Sequence, residues 1–508
     1  MELVYYSLAE YKDQLDSAGL LVESEYFKEE NRTVNYLEYN SKEVKEGTLF
    51  VCKGAHFKEE YLHEAIERGT FAYIAEEKYE LSEEIPYLIV SDIRKAMAVL
   101  AELYYNSPQE KLKIIGIGGT KGKTTTAYYI KNILDRYLKA QGKKPAGILS
   151  SIHTFDGYSE VDSVNTTPIS MDLNKYFARM IEAGLEYVVM EVSSQALKYH
   201  RTDGIEFDVG IFLNIDEDHI SPIEHPNFED YIQSKAKMFG QTKSLIVNRE
   251  TQEASYIFKR AQEAEAYYTF SLVSDTADYF VDHIETSGLD SHFSVQRKNK
   301  EAEEFVLSMP GIFNIENAVS AIAALDLLKI PLQYAHEAFK EISVPGRMET
   351  LMTEDKKIIA VADFAHNRLS FESLVTSMRT SYPDYKVVAI FGAPGGKSLG
   401  RRKELGQVGG KYLDEAYITT DDPAFEDVVE ISEEIAKYVA QEGTPYQIIE
   451  DRPTAIKTAF EEAKEKTVIL AIGKGHEKTM IIKDEKVPIQ SDESLMRECV
   501  EEYNQKNN

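Results

Sequence analysis

Lys113-Ile114-Ile115-Gly116-Ile117-Gly118-Gly119-Thr120-Lys121-Gly122-Lys123-Thr124-Thr125-Thr126 is the stretch that decides the fold. Its apolar opening reads as a buried strand, its glycines as a tight turn, and Ala127 to Leu138 as the helix that follows. A strand, a Gly-rich turn and a helix N-terminus gather several backbone N–H groups and the positive end of a helix dipole around one anion. The spacing therefore predicts a phosphate-binding loop made of Gly119, Thr120, Lys121, Gly122, Lys123, Thr124 and Thr125. In such a loop Lys123 reaches the β and γ phosphates of ATP, and the Thr124 hydroxyl ligates Mg²⁺. The strict GxxxxGK[ST] spacing misses by one residue, because Ile117 stands at the first glycine position. A lysine-rich surface turn is the plainer alternative.

On either side of the loop the chain falls into three sections. Residues 1–108 carry short β-type runs at Thr48 to Cys52, Phe71 to Ala75 and Tyr87 to Val90, and read as a small α/β domain closed by a Tyr105-Asn106-Ser107-Pro108 linker. Residues 109–345 form a central domain with further buried strands at Tyr187 to Glu191, Asp208 to Leu213 and Ser244 to Val247, spaced for helices between them. That alternation predicts a doubly wound parallel sheet. A small antiparallel insertion is expected over Ala277 to Met309, then a helix over Ile315 to Leu328. Residues 346–508 restart the αβ alternation at Ile358 to Asp363, Val387 to Gly392, Ala416 to Thr419 and Val468 to Ile472, the pattern of a Rossmann-like domain.

A formal net charge of −29 argues against nucleic acid as a partner, since affinity for phosphate backbones comes from clustered Lys and Arg. Any anionic ligand must be held locally. Two cysteines, Cys52 and Cys499, are too few for a disulfide framework and offer no CxxC spacing. No run approaches the roughly 20 apolar residues of a membrane span, and the first residues lack the pattern of a signal peptide, so a cytoplasmic protein without membrane contact is expected.

Glu191, in Met190-Glu191-Val192-Ser193-Ser194-Gln195-Ala196-Leu197, ends a strand at the edge where ligands sit in open α/β sheets. A carboxylate beside a triphosphate calls for a cation there, and Mg²⁺ meets that need; a helix N-cap acid is the plainer reading. Asn165-Thr166-Thr167-Pro168 is by itself a turn with hydroxyls. His219, after a strand end beside the phosphate loop, is a candidate second-sphere metal residue.

Gly119-Thr120-Lys121-Gly122-Lys123-Thr124-Thr125 resembles the GT-x-GKTT loop of the Mur ligase superfamily, which also contains the folylpolyglutamate synthetases. The Glu191 segment is similar to the MEVSSHAL motif of its tripeptide synthetases, with Gln195 where histidine is usual. The resemblance implies that Glu191 binds Mg²⁺ and that Ser193, Arg201, Thr166 and Thr167 hold a nucleotide-linked muramyl dipeptide. It implies a catalytic role for His219, in the Asn214, Asp218, His219 segment. It also implies that Lys235, four residues before Phe239, is carbamylated by CO₂ and becomes a metal-ligating anion, a role that Lys237 fits less well. Pro310 to Ala318 resembles the PGxxNxxNA motif near adenine, placing Asn317 at ATP. Val344-Pro345-Gly346-Arg347-Met348-Glu349 resembles VPGRME, and Asp363-Phe364-Ala365-His366 resembles DYAH, placing Arg347 at the phosphates and Asp363 near the ribose. Arg368 stands where proline is usual, and Asn40-Ser41-Lys42 replaces DSR, leaving Ser41 for the uridine-nucleotide site.

The implied reaction is ATP-driven amide formation: the D-glutamate γ-carboxylate of UDP-N-acetylmuramyl-L-alanyl-D-glutamate attacks the γ-phosphate, and a free amino acid then displaces phosphate from the acyl phosphate. Diaminopimelate-adding relatives carry DNPR, whose arginine pairs with the distal carboxylate. Here Thr420-Asp421-Asp422-Pro423-Ala424 puts Ala424 in that place. Loss of such a charge-assisted pair, roughly 1.5 to 3 kcal/mol, disfavours diaminopimelate. The Gly395 to Arg402 segment is similar to that of lysine-adding members. Asp421 and Asp422 with Glu477 then suit an ammonium side chain, and Arg402 the α-carboxylate. L-Lysine is the expected substrate and L-ornithine its nearest competitor. An Asp-Asp-Pro turn without a selective role is the plainer reading. The alternatives are a folylpolyglutamate synthetase, which needs no N-terminal section for a uridine nucleotide, and a non-catalytic nucleotide-binding regulator. A monomer is expected.

Overall fold

The computed structural model describes residues 5–54, 57–81, 84–217, 220–221, 224–298, 300–396 and 400–507. Two compact units are formed, one by Met1–Phe280 with Val319–Ala335 and one by Val281–Ala318 with His336–Asn508.

The first unit contains two sheets. One holds β1 (Leu21–Glu25), β2 (Tyr36–Glu38), β3 (Thr48–Val51), β4 (Thr70–Ala75) and β5 (Tyr87–Val90) in the order β1-β5-β4-β3-β2. Only the β1/β5 pair is antiparallel. The helix Leu8–Ser17 begins at a capping box in which Ser7 and Glu10 satisfy each other's backbone N–H. Its Leu8, Tyr11 and Leu15, three and four residues apart, face a core with Leu49, Ile74, Leu88 and Leu100. β1 and β2 lay outside the expected strands. Leu21–Glu25 alternates without a strong apolar face, and its pattern of exposure shows an edge strand.

The other sheet carries β6 (Lys113–Gly118), β7 (Gly147–Leu149), β8 (His153–Phe155), β9 (Glu160–Asp162), β10 (Tyr187–Glu191), β11 (Phe207–Phe212), β12 (Thr242–Asn248) and β13 (Ala266–Ser271), in the order β13-β12-β11-β6-β10-β7-β8-β9. From β13 to β7 every pair is parallel, and β6, β7, β10 and β11 are buried on both faces as largely apolar runs. β6 lies between β10 and β11, with Glu191 level with Ile117 and Phe212 level with Gly118. The loop after β6 therefore leaves the carboxyl edge of the sheet where the connections diverge, the position at which α/β sheets bind ligands.

β14 (Tyr279–Ser287) runs across the sequence border between the units, and β15 (Asp290–Arg297) pairs antiparallel with β16 (Glu303–Leu307). The expected helix covers Ile312–Leu327. In the second unit β17 (Glu349–Met352), β18 (Ile358–Asp363), β19 (Lys386–Phe391), β20 (Glu415–Ile418), β21 (Tyr446–Ile448) and β22 (Thr467–Ile472) are ordered β17-β18-β22-β19-β20-β21. All but β17 run parallel, as in a Rossmann-like sheet, but the first parallel strand lies beside the last. A hairpin, β23 (Thr479–Ile482) with β24 (Glu485–Pro488), completes the unit. Among the described residues no helix is long and apolar enough to cross a membrane.

Candidate active site

The phosphate loop is shaped by glycine. Gly119 has φ +142°, and a Cβ there would sit 3.0 Å from the Leu213 Cβ, so a side chain would fill the cradle. Gly122, at φ +85°, turns the chain into a helix spanning Lys123–Ala140. That helix starts four residues before the expected Ala127, because the left-handed glycine completes the turn and Lys123, Thr124 and Thr125 already adopt helical backbone. Asn214, just after β11, accepts from the N–H groups of Thr120 (3.0 Å) and Lys121 (2.8 Å) through Oδ1 and donates to the Lys121 carbonyl. The loop is thus pinned from the neighbouring strand. Lys123 Nζ donates to the carbonyls of Gly119 (3.0 Å) and Thr120 (3.1 Å), which folds the ammonium back over the turn.

Glu191 is 1% exposed, at the end of β10. Its Oε1 accepts from the N–H of Ser151 (2.8 Å) and from its hydroxyl (3.2 Å), and the Ser151 Oγ lies 3.0 Å from Thr124 Oγ1. The two expected metal ligands, one in the first turn of a helix and one at the end of a strand, are joined by this one serine. Ser151 was missed because a single serine after the short β7 has no motif around it. Lys235 is buried on the helix Phe228–Ala236, and its Nζ donates to the Gly119 carbonyl at 2.7 Å. Lys237 is exposed, with its Nζ 3.4 Å from the Leu197 carbonyl. The Gly119 carbonyl therefore accepts from both Lys123 and Lys235. Asp218 and His219 lie outside the described residues.

A second cluster is continuous with the first. Thr167 Oγ1 donates to the Glu191 carbonyl (2.8 Å) and accepts from the Ser193 N–H (3.0 Å), and Arg201 Nη1 donates to the Thr167 carbonyl (2.8 Å). Thr167, Ser193 and Arg201, spread over 35 positions of sequence, thus share one place beside Glu191. Burial and the nearby Arg94 lower the Arg201 pKa, and burial with Arg201 and Arg94 lowers that of Lys53 against the pull of Asp172. Ser194 follows Ser193 and meets His225: Ser194 Oγ is 2.9 Å from His225 Nε2, and His225 Nδ1 is 2.6 Å from Asp230. Lys198 completes this chain with a 2.7 Å pair to Asp230, tying two helices together. His225 carried no sequence signal of its own. Ser41 donates its hydroxyl to Glu64 at 2.7 Å, which holds it within its own sheet domain.

In the second unit, both oxygens of Asp363 accept backbone N–H groups, from Met348 and Ala365 at 2.7 Å each. Burial raises its pKa, while Arg347 and these N–H groups pull the other way. Arg347 donates to the Gly346 carbonyl and lies over the Phe364 ring at 5.0 Å. Asn317 is buried in the helix Ile312–Leu327. Asp363 therefore braces the Val344 to Glu349 segment from within.

The Asp421-Asp422-Pro423-Ala424 loop follows β20. Asp422 and Ala424 both have left-handed backbone, with φ 45° and 50°. Ala424 is held by the β23–β24 hairpin, donating to the Ile481 carbonyl and accepting from the Lys483 N–H. Three of the expected substrate residues have partners within the protein. Asp422 and Glu477 are not open carboxylates: Lys474, almost fully buried, bridges them at 2.8 and 2.6 Å, an internal ammonium that the sequence reading assigned no part. Arg402 is not open to a carboxylate either, because its terminal nitrogens pair with Glu426 (2.7 Å) and Glu434 (2.9 Å). Both sets of ion pairs join residues far apart in sequence, and spacing does not reveal them. Asp421 remains; burial pushes its pKa up to about 6, against the pull of Arg452 and Lys474.

Comparison with known proteins places this arrangement. The Mur ligase middle domain matches residues 117–325, and the Mur ligase glutamate ligase domain matches residues 346–475. A UDP-N-acetylmuramyl-tripeptide synthetase of Lactobacillus delbrueckii subsp. bulgaricus is 35% identical, over 92% of this chain and 93% of that one. A UDP-N-acetylmuramoyl-L-alanyl-D-glutamate--L-lysine ligase of Enterococcus faecalis is 38% identical, over 87% of each chain. In structure, a UDP-N-acetylmuramoyl-L-alanyl-D-glutamate--2,6-diaminopimelate ligase superposes with TM-score 0.67 over 98% of this chain and 99% of the other, at 21% identity, a likeness of fold.

Proposed function

Because the chain belongs to the Mur ligase family, we propose that it is an ATP-dependent ligase that adds L-lysine to the D-glutamate of UDP-N-acetylmuramyl-L-alanyl-D-glutamate in peptidoglycan precursor synthesis. The carrying observation is the convergence of the phosphate loop, Glu191 and the Thr167–Ser193–Arg201 cluster at one edge of the central sheet. It brings a triphosphate site and an anion site together. Incubating the UDP-muramyl dipeptide with ATP, Mg²⁺ and separate amino acids, then weighing the products, tests the reading; a mass gain with none of them rejects it. The division into domains at about residues 108 and 345 is part of the same reading, supported by the separate sheets on either side of each boundary.

Carboxylate and triphosphate repel each other. Lys123 and the loop N–H groups offset the charge that develops on the transferring phosphoryl group. Thr124 and Glu191, joined through Ser151, form a hard oxygen set suited to Mg²⁺, which would supply Lewis-acid stabilisation of phosphate oxygens. Lys235 completes the set as a carbamate: the nitrogen of a carbamylated lysine keeps one N–H, so the bond to the Gly119 carbonyl survives while the new carboxylate turns the site more anionic. His219 belongs to the same proposal. Arg201, Ser193, Thr166 and Thr167 hold the dipeptide so that its γ-carboxylate meets the γ-phosphate, with Ser41 contributing to the uridine end. Asn317, Arg347 and Asp363 are assigned to ATP.

Lysine as the amino acid rests on Ala424, which offers no cation for a distal carboxylate, and on Asp421. Ala424→Arg is expected to lower kcat/KM for lysine by about tenfold or more, since it sets a cation beside the substrate ammonium. Kinetics with lysine and meso-diaminopimelate check this, and unchanged lysine use would remove Ala424 from selection.

The pH dependence follows from Asp421. Folding raises its pKa, so a falling pH that protonates it adds to stability through this group while removing the anion that an ammonium needs. KM for lysine is expected to rise as pH falls through about 6, with KM for ATP unaffected. An Asp421→Asn variant should show a weak, pH-insensitive lysine KM.

A further inference from the structure

Lys474 sits where an incoming ammonium would be expected. It is 1% exposed, and its Nζ is shared by Asp422 Oδ1 at 2.8 Å and Glu477 Oε2 at 2.6 Å. The same Asp422 oxygen also accepts from the Ile481 N–H at 2.8 Å. Asp422 is therefore fixed by two donors from either end of the Gly473 to Ile481 segment, and it needs that anchorage because its φ is 45°, costly for a residue with a Cβ. Its neighbour Asp421 packs against Gly473, where a Cβ would come within 2.4 Å of the Asp421 Oδ2. Behind them Arg452, fully paired with Asp492, donates to the carbonyls of Thr420 (3.3 Å) and Ile472 (2.8 Å), bracing the roots of both loops. Three carboxylates thus stand in one place, and Lys474 is the cation bonded to two of them.

We propose that Lys474 is a specificity-determining positioning residue: it bridges Asp422 and Glu477 and offsets one of their two charges, fixes the left-handed turn at Asp422, and so holds Asp421 in place as the acid that measures the length of the incoming side chain. This rests on the lysine-ligase reading. With Lys474 in place the group of Asp421, Asp422, Glu477 and Lys474 has one uncompensated acid more than a single substrate ammonium can balance. Without it, three acids repel across a poorly solvated site and take up protons or separate. The turn then loses a charge-assisted bond, and Asp421 moves with its neighbour. A site that reads one methylene typically discriminates by about 10- to 200-fold only while its contacts are held in register.

The test is steady-state kinetics of the full-length enzyme carrying Lys474→Met or Lys474→Arg, with L-lysine and L-ornithine as amino acids. Lys474→Met is expected to raise KM for lysine about tenfold or more, the loss attached to one charge-assisted hydrogen bond, and to draw the lysine-to-ornithine ratio of kcat/KM toward unity. KM for ATP and for the nucleotide substrate should stay unchanged, and Lys474→Arg should recover most of the discrimination. The inference is overturned if the methionine variant keeps the wild-type ratio, or if lysine KM falls, which would make Lys474 a competitor for the substrate's place. It is equally overturned if all three KM values and the Tm deteriorate together, the mark of a purely structural role. Failure of the wild-type enzyme to ligate any amino acid would instead reject the ligase reading itself.

Discussion

Lys123→Ala is expected to lower the ligation rate by about 10² to 10³, the loss that follows removal of one preorganised stabiliser of developing charge. The side chain bonds to the Gly119 and Thr120 carbonyls of its own loop and starts a helix that Gly122 already initiates, so the variant should fold with little change in Tm. Product formation measured beside a melting curve checks both halves. Near-full activity would show that the loop does not hold the transferring phosphate.

The second large effect separates two lysines two positions apart. Lys235→Ala should be nearly inactive and regain part of its rate when a short-chain carboxylate is supplied, whereas Lys237→Ala should be tolerated. The reason is placement: Lys235 is buried and bonded to the phosphate loop, and Lys237 is exposed just past the end of its helix. Like behaviour of the two variants would remove the carbamate from the scheme. Release of radiolabelled CO₂ from the unmodified enzyme on acid treatment gives a second measure, independent of rate.

The sequence was most legible where pattern and chemistry agree. β6, β10, β11 and β12 are buried parallel strands, so their apolar runs stand out whatever surrounds them. The Gly-rich loop and Glu191 could be placed at one edge because each follows such a strand. Edge strands such as β1 and β2 were lost, since half-exposed residues leave no apolar run. In the site, Thr167, Ser193 and Arg201 came from motif likeness and do converge in space. Ser151, His225 and Lys474 did not, because each acts through a partner distant in sequence: Glu191 is 40 positions from Ser151 and Asp422 is 52 from Lys474. The glutamate partners of Arg402 were not legible for the same reason, lying 24 and 32 positions away.

The left-handed backbone at Asp422 and Ala424 separates two demands that usually conflict. Any residue with a Cβ meets a similar steric cost at such a φ, unless it is β-branched, so the side chain at 424 can change with little change in the energy of the fold. Pro423 between them keeps its own φ fixed whatever its neighbours become. Substrate preference can therefore drift by substitution at one position while the loop path is inherited intact. A lineage could exchange one amino acid for another in its cell wall without passing through an unstable enzyme.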